Sequence, residues 1–111
     1  MTDLVQVLVT CPSEENATTI AHVLIHNRLA ACVQILGPIK SFFRWNGKVD
    51  EVLEWQCVIK TRRACFLPLQ KLVLENHPYE IPELIAVPIV EGSEAYLAWV
   101  RGEVIYSSVD M

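Results

Sequence analysis

The segment Leu4-Val5-Gln6-Val7-Leu8-Val9-Thr10 is apolar at nearly every position, the pattern of a central strand buried on both faces. Cys11-Pro12-Ser13 breaks it. Ser13 is a good N-cap, Glu14 and Glu15 suit the positive end of a helix dipole, and Ala17, Ile20, Ala21 and Leu24 recur at helical spacing. These features predict a helix from about Glu14 to Arg28, with the Arg28 cation at its C-terminus. Ala31 to Leu36 is a second strand, and Gly37-Pro38 predicts a bulge or bend inside it rather than its end. The chain resumes through Ile39, Phe42, Phe43 and Trp45 to Asn46-Gly47. That dipeptide is the strongest short hairpin signal, because a type I′ turn needs positive φ at both central positions.

The return strand alternates. Val49, Leu53, Trp55, Cys57 and Ile59 face one way, with Glu51 interrupting, while Lys48, Asp50, Glu54, Gln56 and Lys60 face the other. After Arg62-Arg63 a second helix presents Leu69, Leu72 and Val73, with Pro68 in its first turn, where a missing N–H costs nothing. His77-Pro78-Tyr79-Glu80-Ile81-Pro82 is not helical, since each residue before a proline is pushed to extended geometry. Glu83 to Val90 is a fourth strand, and Pro88 inside it argues for an edge position. Gly92-Ser93 caps a last helix in which Tyr96, Trp99 and Val100 recur at helical spacing. The order predicts one α+β domain over residues 1–111, a ferredoxin-like βαββαβ fold with a long central hairpin and an extra C-terminal helix.

The hairpin sets the first functional expectation. Arms of about residues 31–45 and 48–62 would each span roughly 45 Å at about 3.3 Å per residue, more than twice a usual strand. A domain of this length has a radius of gyration of only about 13 Å. The arms must overhang their own core, carrying Phe42, Phe43, Trp45 and Leu53 with them, and a second copy of the chain is the economical cover. A bent arm tucked back on the domain is the alternative. Hydrophobic residues make up 52% of the 111, an excess that a subunit interface also explains.

The net charge of −4 lacks the basic face of a nucleic-acid binder. The apolar run near the N-terminus is too short for a signal peptide, and no stretch approaches the ~20 apolar residues of a membrane span, so the expected location is cytoplasmic. The four cysteines form no CxxC pair and are best read as small buried hydrophobes. His22 and His26 share one face of the first helix, opposite Ile20 and Leu24, where two ligands without a third seldom make a physiological metal site. The third strand lacks the basic-Gly-aromatic motif of an RNA-recognition domain, and no arginine before Arg28 could grip an acylphosphatase substrate. No Ser/His/Asp set, Walker loop or dinucleotide fingerprint is present, so an enzyme is not expected.

Several strings taken together resemble the CutA family, named for divalent-cation tolerance. They are Leu29-Ala30-Ala31-Cys32, Trp45-Asn46-Gly47-Lys48, Ile59-Lys60-Thr61, His77-Pro78-Tyr79 with Pro82-Glu83-Leu84, and Tyr96-Leu97-Ala98-Trp99. Their order and spacing run along about the whole chain. The resemblance implies a non-enzymatic homotrimer with hairpin strands paired between subunits, taking part in divalent-metal response. It also implies copper or another divalent cation, weakly bound and not required for folding. Family members with proposed copper ligands have a cysteine late in the first strand and a histidine just before His77, where this chain has Val9 and Asn76. His77 and Glu83 match, and Cys11 lies one pleat beyond Val9 on the same side, so the candidate metal set is His77, Glu83 and Cys11. Polar contacts between subunits are the alternative role for the His77-Pro78-Tyr79 turn. Lys60, Trp45 and Tyr79 are the candidate residues of a ligand cleft. The competing readings are a trimeric module that binds a small-molecule effector, as the PII signalling proteins do, and a non-catalytic scaffold.

Overall fold

The computed structural model describes residues 2–104. Strand β1 (Leu4–Cys11) leads into helix α1 (Glu14–His26), whose first turn is held by Ser13, its Oγ accepting from the Asn16 N–H at 3.0 Å. Strands β2 (Cys32–Trp45) and β3 (Lys48–Arg62) form the long hairpin. Asn46 (φ 51°) and Gly47 (φ 77°) close it with the two positive φ angles that the sequence demands. A 3₁₀ turn (Arg63–Cys65), helix α2 (Phe66–Glu75), strand β4 (Leu84–Pro88) and helix α3 (Glu94–Glu103) complete the described chain. The sheet order is β2-β3-β1-β4, with every adjacent pair antiparallel, and β4 lies at an edge as Pro88 requires.

Val5, Val7, Val9 and Cys11 of β1 join Cys57 and Ile59 of β3 under one face of the sheet. Ala17, Ile20 and Leu24 of α1 with Leu69 and Val73 of α2 cover that face. Thr61 is fully buried there and is satisfied by donating to the Leu29 carbonyl at 2.6 Å. On the opposite face, Leu97 and Val100 of α3 pack on Leu4 at one end. The expected helical face of α3 is therefore shifted: Leu97 and Val100 are buried, while Tyr96 and Trp99 are 41% and 46% exposed. A short helix resting on a single strand end buries only a narrow stripe. Polar ties add to it: Arg101 Nε donates to Asp3 Oδ1 at 2.8 Å, Arg62 pairs with the same carboxylate at 3.6 Å, and Arg28 pairs with Glu103 at 3.5 Å.

The hairpin outruns its support. β1 pairs with β3 from Arg62 only as far as Trp55, opposite Cys11, so among the described residues Lys48–Glu54 has no partner strand except β2. The alternation along β3 continues into this overhang, but among the described residues the apolar side has nothing beneath it: Leu53 is 54% and Val49 65% exposed, beside Phe42 at 65%. The molecule measures 43 × 28 × 23 Å, its long dimension close to the length of one arm. Within β2 the register shifts between Leu36 and Ile39, the bulge that Gly37-Pro38 signals. Gly37 is needed there because a Cβ would stand 2.7 Å from Cγ of the Trp55 ring.

Candidate functional site

Where β1 ends, the loop between α2 and β4 folds across the polar side of the β3 overhang. Its anchor is His77, only 9% exposed. Nδ1 of the ring accepts the Tyr79 backbone N–H at 3.1 Å, so Nε2 carries the proton and donates to the Thr10 carbonyl at 2.7 Å. Both imidazole nitrogens are thus engaged, tying the loop to the last residues of β1. Pro78 and Pro82 restrict the backbone on either side of Tyr79, which projects its hydroxyl to Glu54 Oε2 at 3.2 Å. Glu54 is 5% exposed although it lies on the polar side of its strand, because this loop covers it.

Loop and overhang enclose a cleft of about 830 Å³. The hairpin supplies Phe42, Phe43, Trp45, Asp50 and Glu54, and the loop supplies Tyr79, Glu80, Ile81 and Glu83. Four carboxylates line it and, among the described residues, no lysine or arginine does. The electrostatic consequence falls on two groups. Partial burial, then the charge of Glu54, pushes the Glu83 carboxyl above its ordinary value. Burial, followed by the charge of Glu54 and the hydrogen bond to it, raises the Tyr79 hydroxyl as well. The arrangement is an acidic, aromatic-walled cleft in which two carboxylates repel each other for want of a positive charge.

The structure brings some of the expected residues together and separates others. Trp45, Tyr79 and Glu83 all line the cleft. Lys60 does not. It points from the open face of the sheet, where its Nζ donates to Gln34 Oε1 at 2.7 Å, and it pairs with neither Glu54 nor Glu83. Cys11 is fully buried on the core side, hydrogen-bonded to the Cys57 thiol, and this bond together with burial pushes its thiol well above the ordinary value. Among the described residues no three His, Cys, Asp or Glu side chains converge as a metal-binding group, and His77, Glu83 and Cys11 are not brought together. Glu54 is the cleft residue that the sequence pattern underrates. Its one signal is position: it is the polar residue next to Trp55, where β1 runs out and a proline-stiffened loop has room to descend. None of the four cysteines is in a disulfide; Cys11, Cys57 and Cys65 are buried and Cys32 is partly so.

Comparison with known proteins fits this architecture. Residues 5–103 match the family model described as CutA1 divalent ion tolerance protein. The chain is 47% identical over 95 residues to the divalent-cation tolerance protein CutA of Thermus thermophilus, covering 86% of this chain and 92% of that one. It is 43% identical over 93 residues to the human protein CutA, covering 84% of this chain but 52% of the human one, so it spans about half the length of that relative. The crystal structure of CutA from Xylella fastidiosa superposes with a TM-score of 0.90 at 37% identity, covering 93% of this chain and 99% of that one. The ferredoxin-like fold, the match along nearly all of the chain and these identities show that the chain belongs to the CutA1 divalent ion tolerance family.

Proposed function

We propose that this chain is a cytoplasmic, non-catalytic homotrimer that responds to divalent metal and binds copper or another divalent cation weakly in the Glu54–Glu83 cleft. The observation that carries the reading is the pair of carboxylates held near each other without a cationic partner, in a family named for tolerance of divalent ions. Oxygen donors suit hard cations, and borderline Cu²⁺ also accepts carboxylate. A bound dication relieves the repulsion that raises the Glu83 carboxyl. His77 then acts as the anchor that presents Tyr79 to Glu54, and Cys11 remains a core thiol. Weak binding follows from having two carboxylates and water rather than a closed ligand set. The trimer is supported by the uncovered overhang and by the family resemblance.

Titration calorimetry with Cu²⁺ and Mg²⁺ tests the site. Glu83→Gln and Glu54→Gln should each weaken binding about tenfold or more, with Cys11→Ser within twofold of wild type. Unchanged affinity in both glutamine variants would remove the cleft from consideration. Stability should move the opposite way. A carboxyl whose pKa is raised on folding costs stability once ionised, and that cost grows as pH rises from the ordinary carboxylate range through the raised value. Glu83→Gln is therefore expected to melt higher than wild type at pH 7, with the difference closing at pH 3.

The size of the cleft favours a second reading. A volume of about 830 Å³ falls in the range of small-molecule sites and far exceeds a single ion. An effector bound there would be neutral or cationic, given the acidic lining. Native mass spectrometry of the protein with metals and with a metabolite extract distinguishes the two by the mass of the adduct.

A further inference from the structure

We propose that His22 and His26 form a second, outward-facing metal site, a two-imidazole chelate for a borderline divalent cation of the Cu²⁺, Ni²⁺, Zn²⁺ class. The two residues are one helical turn apart on α1, the spacing at which paired histidines on a helix ligate a common zinc ion. The structure adds what spacing alone does not give. The rings already stack on one another, with centroids 5.7 Å apart and planes inclined by 22°. A metal at about 2.0 Å from one nitrogen of each ring would hold the centroids roughly 5 Å apart, close to the observed separation, with rotation about the χ angles turning one nitrogen of each ring toward the shared ion. Apart from this mutual contact, neither imidazole has a hydrogen-bond or ion-pair partner among the described residues, unlike His77 with both nitrogens engaged.

Three further features suit a cation at this place. Both side chains are exposed on the face of α1 that points away from the sheet, so an assembly made through the hairpin leaves them open. They occupy the last two turns of α1, where the helix dipole favours positive charge. The nearby Arg28 guanidinium is drawn off to Glu103 at 3.5 Å and to the Glu103 carbonyl at 3.1 Å. Imidazole is the preferred donor for Cu²⁺, Ni²⁺ and Zn²⁺, and Cu²⁺ should bind most tightly of the three. The oxygen-lined cleft differs in also suiting hard cations such as Mg²⁺, which an imidazole pair does not favour. The chelate does not depend on the cleft being a metal site.

The experiment is Cu²⁺ binding to the full chain carrying Glu54→Gln and Glu83→Gln, which removes the cleft carboxylates from the measurement. Electron paramagnetic resonance should show two equatorial nitrogens, and titration should show one Cu²⁺ per subunit. His22→Ala, His26→Ala and the double variant should each lose at least tenfold in affinity and by the same factor, because a chelate fails when either arm is removed. Circular dichroism on these surface variants checks that α1 is intact. Absence of the two-nitrogen signal, or single variants that retain half the binding each, would overturn the proposal. Loss of binding in the glutamine background with retention in wild type would also overturn it and assign the copper to the cleft.

Discussion

A chain carrying Phe42→Asp and Leu53→Asp should sediment as a folded single subunit at concentrations where the wild type is assembled. Both side chains stand on the apolar side of the overhang, 65% and 54% exposed in the isolated chain, and neither belongs to the packed core. Removing them costs the single subunit little, so circular dichroism and the melting profile of the monomeric fraction should retain the native signature. Removing them from an interface is another matter. Covering a large apolar side chain contributes about 1.5–3 kcal/mol, so two in each interface supply about 3–6 kcal/mol before the cost of burying a carboxylate is added. At 1.4 kcal/mol per factor of ten, the dissociation constant rises at least a hundredfold. Analytical ultracentrifugation over a dilution series reads this directly. A wild type that sediments as one subunit at all concentrations, or a double variant that assembles as the wild type does, would end the argument that sister chains cover the hairpin.

The second large effect belongs to the core. Ile59 is fully buried on the central strand β3, opposite Val7 on one side and Val33 on the other. Its side chain is pinned by two strands and the helices above them, so the space vacated by Ile59→Ala cannot collapse easily. The expected loss is about 2–5 kcal/mol. Against a total stability of about 5–15 kcal/mol, such a change moves the chain close to unfolding. Leu67→Ala supplies the contrast, because that leucine is 68% exposed on α2 and its loss should stay within about 0.5 kcal/mol. Chemical denaturation must compare the variants at one protein concentration, since assembly also stabilises the folded state. Equal losses in the two variants would contradict the placement of the core.

Local chemistry made the strands and turns legible. Asn46-Gly47 fixes a turn that few other dipeptides accept, and with it the pairing of Trp45 with Lys48 and every register position beyond. Ser13, Glu14 and Pro68 mark helix beginnings for reasons internal to their own segments. The first strand predicted to Thr10 runs to Cys11, and the helix predicted to Arg28 stops at His26, where Asn27 closes it by donating to Val23 and Ile25 carbonyls. What the sequence hides is whatever depends on one element lying over another. Glu54 has the pattern of a solvated residue, and only the descent of the Tyr79 loop buries it. Lys60 shares the cleft's face of β3 with Glu54, but stands six residues, about 20 Å, farther along the strand, where it meets Gln34. Tyr96 and Trp99 are larger than Leu97, yet α3 meets the sheet at the end carrying Leu4, and the angle of approach selects Leu97.

The attachment of α3 has its own consequence. Two aliphatic side chains, a carboxylate shared by two guanidinium groups, and the Arg28 contacts with Glu103 hold this helix to the body. Its hydrogen bond with Arg101 is the largest influence on Asp3 and brings that carboxyl below its ordinary value. A depressed carboxylate stabilises at neutral pH and loses its contribution as acidity carries it through the lowered value. Brine screens the same exposed charges. The C-terminal helix is therefore the element whose charged ties, at the Leu4 end of the sheet, weaken in acid or concentrated salt.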